Sequence, residues 1–120
     1  MCSSDLLRDR LAHTRLIVFG GAVTPRPILE QIARPGLILS NVYGQTETCG
    51  IITRTERDAS LEVMSETIGQ VLPGADLRLA DAAGSAVPDG VPGEIQVRGP
   101  YVMSGYFRNP AASEIGRAHV

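Results

Sequence analysis

Four apolar residues, Leu16-Ile17-Val18-Phe19, run without interruption into Gly20-Gly21. A run of this kind halted by two glycines suits a strand over 15–19, buried on both faces and ending in a sharp turn. The next stretch fixes the topology. Thr24 can cap a helix that starts at Pro25, carries Ile28, Leu29 and Ile32 on one face, and ends at Pro35-Gly36. Residues 37–42 then read as a second strand. Strand, helix and strand joined by a right-handed crossover make the two strands parallel.

The second half of the chain has period two. Ala75, Leu77 and Leu79 alternate with Asp76, Arg78 and Ala80, and Ile95 and Val97 alternate with Gln96 and Arg98. This predicts half-buried antiparallel strands with Ile95 and Val97 in the core. Between them, "DAAGSAVPDGVPG" is turn chemistry, dense in Asp, Gly and Pro. The expected fold class is therefore α/β: a strand-helix-strand edge followed by a β-rich antiparallel subdomain. With 120 residues, 43% hydrophobic and 20% charged, the chain can pack one domain at most.

Charge excludes some partners. The formal balance of -2 is small and evenly spread, so nothing pulls the chain toward nucleic acid or an anionic membrane. No apolar run approaches the roughly 18 residues of a spanning helix, and the N-terminus lacks a basic-then-apolar secretion signal, which makes a cytoplasmic setting the expectation. Cys2 and Cys49 form neither a disulfide framework nor a metal-ligand spacing, and Cys49 reads as a small buried apolar residue. All eleven basic residues are arginines.

The two ends share an origin at the DNA level. Residues 114–120, "EIGRAHV", can be encoded GAG ATC GGA AGA GCA CAC GTC. The opposite strand, read from its GTG start codon, gives Met-Cys-Ser-Ser-Asp-Leu, which is residues 1–6. One string thus accounts for both ends, and it resembles a short-read sequencing adapter. Residues 1–6 and 114–120 are accordingly read as adapter artefacts flanking a partial domain at 7–113.

Chemistry concentrates in "NVYGQTETCG", residues 41–50. Tyr43, placed just past the end of the second strand, offers a flat face on which a purine can stack, and Gly44 lets a ligand approach the backbone. Asn41 can present a donor and an acceptor to a base edge. Thr46 offers a hydroxyl to a phosphate oxygen, and Glu47 a carboxylate of the kind Mg²⁺ takes beside phosphates and waters. The same pentapeptide also fits an ordinary turn into a helix with Thr46 as cap.

Four segments read in order carry a resemblance: "TRLIVFGGAV" (14–23), "NVYGQTE" (41–47), "IGQVLPG" (68–74) and "GEIQVRGPYVMSGYFRNP" (93–110). In sequence and spacing they resemble the adenylate-forming superfamily of acyl-CoA synthetases, nonribosomal-peptide adenylation domains and luciferases. The resemblance implies that the chain is a fragment of such an enzyme's large N-terminal domain. It implies that Tyr43 stacks on adenine, Asn41 bonds the adenine amino group, and Thr46 meets the α-phosphate. It implies further that Glu47 ligates Mg²⁺, with Thr46 and Glu47 serving catalysis. Gly20, Gly21 and Ala22 would line the meeting point of adenylate and acyl group, with Gly44 and Gln45 completing the nucleotide-binding set. Gly99 and Gly105 read as backbone turns and Tyr106 as packing. ATP, Mg²⁺ and coenzyme A are the implied cofactors, and a small carboxylic acid the implied substrate. The family's phosphate loop with its lysine is expected upstream, and its ribose-binding Asp, hinge and C-terminal lysine downstream. A chain without lysine is thus expected to be inactive alone. Two further readings are a β-rich binding module on residues 67–110 and a non-functional open-reading-frame piece.

Overall fold

A computed structural model describes residues 9–117. The readings of residues 1–6 and 118–120 as adapter-derived lie outside the described residues. The elements run β1 (Leu16–Gly20), α1 (Arg26–Ile32), β2 (Ile38–Gln45), a 3-10 turn (Thr46–Thr48), β3 (Gly50–Arg54), α2 (Leu61–Glu66), β4 (Gln70–Val71), β5 (Asp76–Ala80), β6 (Glu94–Arg98) and α3 (Pro110–Arg117). Strands β1-β2-β3-β4 form one sheet in that order, and β5 and β6 form another. Two compact units result: residues up to Gly44 with Thr53–Gln70, and Gln45–Ile52 with the residues from Val71 onward. No helix among the described residues is long and apolar enough to cross a membrane.

In the first unit β1 pairs β2 in parallel, from Leu16↔Ile38 to Gly20↔Val42. Leu29 of α1, Leu39 of β2 and Met64 of α2 form a buried cluster, against which Ile17, Phe19, Ile32 and Leu37 pack. Leu29 is fully buried, which is worth about 1.5–3 kcal/mol relative to exposure. The strand expected to be buried on both faces is not. Leu16 and Val18 are 52% and 51% exposed, because alternation along β1 puts only Ile17 and Phe19 on the face that meets the core. Helix α1 is also shorter than expected. Thr24 gives it no side-chain cap, Pro25 occupies the cap position, and the Ala33 N–H closes it on Leu29, before Pro35. Ile28, expected on the buried face, is exposed.

Helix α2 is a short element that no periodicity announced. Ser60 caps it, its Oγ accepting from the Val63 N–H at 3.2 Å, and Met64 supplies the single buried anchor. Elsewhere in this unit the Arg34 guanidinium donates to the Leu11 carbonyl and, at 2.7 Å, to that of Thr14, tying the segment before β1 to the chain after α1.

In the second unit β5 and β6 pair antiparallel, from Asp76↔Arg98 to Ala80↔Glu94, as the alternation required. The facing is different. Gln96 is 7% exposed, whereas Ile95 and Val97 are only half-buried. Gln96 tolerates burial because its Oε1 accepts from Arg78 Nε at 3.0 Å across the ladder, so its carbonyl is satisfied. Gly99, at φ 137°, is a backbone turn as expected, and a Cβ there would stand 2.8 Å from the Gly74 carbonyl oxygen.

Candidate functional site

Strand β2 continues through Tyr43 and Gly44 to Gln45, so Tyr43 lies inside the strand and not beyond its end. The ladder to β1 ends at Gly20↔Val42, so the continuation rests on β3, the neighbour of β2 on its other side, which holds a stretch whose glycine and polar residues argued for a loop. In the first unit, parallel register sets Gly20 beside Val42, so Gly20-Gly21-Ala22 leaves the sheet at the end where Tyr43 and Gly44 lie. Gly21 takes φ 80°, a conformation that favours glycine, and Ala22 is exposed.

Asn41 is buried and heavily bonded. Its backbone N–H donates to Thr55 Oγ1 at 2.9 Å, and its carbonyl accepts from the Thr55 N–H at 2.9 Å. Its Nδ2 donates to the carbonyls of Met64 (3.0 Å) and Thr67 (2.8 Å). Both amide hydrogens are thereby used, and Oδ1 accepts no hydrogen bond among the described residues. Tyr43 is half-buried.

In the second unit Gln45, Thr46 and Glu47 open the 3-10 turn. Buried Thr48 is its knot: Oγ1 accepts from the Gln45 N–H at 3.0 Å and lies 2.9 and 2.8 Å from the carbonyls of Gln45 and Gly50. Thr46, expected in one reading as a helix cap, is instead the first residue of the turn, with Gln45 at the cap position. Cys49 closes the turn with φ 54°, its N–H donating to the Thr46 carbonyl at 3.0 Å. Its thiol is exposed, contrary to the expectation of a buried apolar residue, because the left-handed backbone turns the side chain outward from the knot. Thr46 is exposed and its hydroxyl has no partner among the described residues.

Glu47 has a partner that sequence reasoning missed. The Tyr106 hydroxyl donates to Glu47 Oε1, and the Met103 N–H donates to the Glu47 carbonyl at 2.8 Å. Tyr106, expected as packing, is 40% exposed and acts through its hydroxyl. That bond holds the Glu47 carboxyl below the usual carboxylate range, helped by the residue's own backbone N–H and opposed by slight desolvation. Reciprocally, the bond to Glu47 pushes the Tyr106 phenol up. The two residues are 59 positions apart, and a tyrosine flanked by Gly105 and Phe107 carried no signal of such a role.

The donor set builds no metal centre of its own. No group of three or more His, Cys, Asp or Glu residues gathers among the described residues, so they form no all-protein cage. A single ionised carboxylate beside an open hydroxyl suits Mg²⁺, which is held by one or two carboxylates together with substrate phosphates and waters.

Over residues 3–107 the sequence matches the family model described as AMP-binding enzyme. It is 34% identical over 103 residues to an indoleacetate–CoA ligase of Aromatoleum aromaticum, covering 86% of this chain and 20% of that protein. Over 114 residues it is 34% identical to a long-chain-fatty-acid–CoA ligase of Thermus thermophilus, covering 87% and 21%. The chain thus spans about a fifth of the length of these relatives. Among solved structures it superposes with a TM-score of 0.80 and 28% identity on holo-PA1221, a nonribosomal peptide synthetase protein containing adenylation and PCP domains, covering 93% of this chain and 20% of that one.

Proposed function

The chain belongs to the AMP-binding enzyme family, and from that premise we propose that it carries nucleotide-binding residues of an ATP-dependent acyl-CoA synthetase. Tyr43 stacks on adenine. Asn41, its Nδ2 fastened to two carbonyls, turns Oδ1 to the adenine amino group. Gly20, Gly21 and Ala22 border the place where adenylate and acyl group meet, and Gly44 and Gln45 give the nucleotide a close backbone. The Thr46 hydroxyl donates to an α-phosphate oxygen. Glu47 holds Mg²⁺, which supplies neutralisation of the charge that develops on the phosphates.

The reaction has two halves. An oxygen of a small carboxylic acid attacks the α-phosphorus of ATP in line, the bond to the bridging oxygen breaks, and pyrophosphate leaves. The thiol of coenzyme A then attacks the acyl carbonyl and AMP leaves. The observation that carries this reading is the free hydroxyl of Thr46 followed directly by a carboxylate that accepts a hydrogen bond from the Tyr106 hydroxyl. The 120 residues contain no lysine, while the resemblance implies one for adenylation, so the chain alone binds without turning over.

Titration of the 120-residue chain with MgATP tests the reading. Saturable binding that Glu47→Ala removes is expected, and equal binding by both proteins, or by neither, overturns it. A nonribosomal-peptide adenylation domain is the second reading, favoured by the superposition on the synthetase protein above. It shares the first half of the reaction and differs in the thiol that accepts the acyl group.

A further inference from the structure

We propose that Tyr106 is a positioning residue for the site, orienting the Glu47 carboxylate toward the metal of the bound nucleotide through its hydroxyl hydrogen bond. The inference rests on the reading of Glu47 as the metal-holding carboxylate. It adds a residue whose own surroundings show that it is held in place for that contact.

Glu47 is gripped twice by one segment. Met103 donates its N–H to the Glu47 carbonyl at 2.8 Å, and three residues later the Tyr106 hydroxyl donates to Oε1. The main chain and the side chain of Glu47 are thus fixed from the same short stretch. A glutamate on an open turn otherwise samples several rotamers, and a carboxylate that must meet a cation benefits from being set beforehand.

The tyrosine is itself anchored. Its N–H donates to Ser113 Oγ at 2.8 Å, and that hydroxyl donates in turn to the Asn109 carbonyl at 2.8 Å. Ser113 comes this close because residue 105 is glycine. A Cβ at 105 would stand 2.8 Å from Ser113 Oγ and 3.1 Å from its Cβ, and φ at 105 is 147°. A line of contacts therefore runs from Ser113 through the Tyr106 backbone and ring to the carboxylate of Glu47. The ring is 40% exposed, so it buries little, and its hydroxyl contact is what distinguishes it from phenylalanine.

The test uses the 120-residue chain, with Mn²⁺ as the metal probe in the presence of ATP and electron paramagnetic resonance as the readout. Tyr106→Phe should weaken Mn²⁺ binding roughly tenfold, the lower end of the effect of removing a ligand's hydrogen-bond partner. ATP binding without metal and the far-ultraviolet circular dichroism should stay unchanged, which a merely structural loss would not allow. Ser113→Ala, which loosens the tyrosine's backbone while keeping its hydroxyl, should move Mn²⁺ affinity in the same direction by less. Carbon-13 nuclear magnetic resonance of Glu47 should show one side-chain rotamer in the unaltered chain and averaging in Tyr106→Phe. If Glu47→Gln removes Mn²⁺ binding while Tyr106→Phe leaves affinity and rotamer unchanged, the positioning role is overturned. If Glu47→Gln leaves the Mn²⁺ affinity as it was, including none in either protein, the functional reading fails, and the rotamer measurement alone decides whether Tyr106 orients Glu47.

Discussion

A Cβ built on Gly20 would stand 2.3 Å from the carbonyl oxygen of Val42, its partner across the parallel ladder. Gly20→Ala must therefore push β1 and β2 apart, and it should cost about 1–3 kcal/mol of stability. Gly21→Ala meets nothing within 4 Å but inherits φ 80°, so its cost, about 1–2 kcal/mol, comes from the backbone alone. Urea unfolding of both variants checks the pair. Two unaltered midpoints would contradict the close approach and the strain alike.

Asn41 should prove necessary for folding before it is tested for nucleotide. Asn41→Ala strands the carbonyls of Met64 and Thr67, which the side-chain amide serves at 3.0 and 2.8 Å. Leaving such groups unmet should lower stability by about 1–3 kcal/mol. Chemical denaturation with and without ATP separates this loss from any effect on binding.

The Glu47 and Tyr106 pair predicts a pH dependence with two limbs. The Glu47 carboxyl is lowered in the folded chain, so its contribution is present above the ordinary carboxylate range and is lost as pH falls through the depressed value. The Tyr106 phenol is raised, so its contribution is present below the ordinary tyrosine value and is lost as pH rises through the elevated one. Tyr106 is exposed and Glu47 only partly covered, so solvent keeps the effect small. Melting temperatures across the pH range should show both limbs in the unaltered chain and flatten in Tyr106→Phe.

Cys49 should react with a thiol reagent in the native chain at the rate of an open cysteine, since its side chain is exposed. A Cys2→Ser background isolates the signal. Protection that disappears only in denaturant would contradict the turn geometry.

Much of the fold could be read from residues close in sequence. The apolar run at 16–19, the Pro25 and Pro35-Gly36 boundaries and the second run at 37–42 specified the parallel pair, because each signal is local. Alternation likewise announced β5 and β6. What escaped depends on distant partners. Tyr43 sits within a strand because β2 runs on past its last partner in β1 with β3 as its other neighbour, which the local glycine concealed. Gln96 tolerates burial because Arg78 satisfies it, and Leu16 and Val18 are open because they lie on the face of β1 away from the buried cluster. In the candidate site, the types at 43, 46 and 47 pointed to a nucleotide, while the bond from residue 106 required the folded chain.

Helix α2 has six residues, fewer than a helix needs to persist in water without help. Its tail is received by the Asn41 amide, and the Tyr43 ring stands two places along the same strand. Because its Met64 is one of the three residues of the buried cluster, the helix and the Asn41 amide that receives it should let go together with the core, in one transition. The strand position where a purine is expected to rest is thus held by the same packing that holds its unit together.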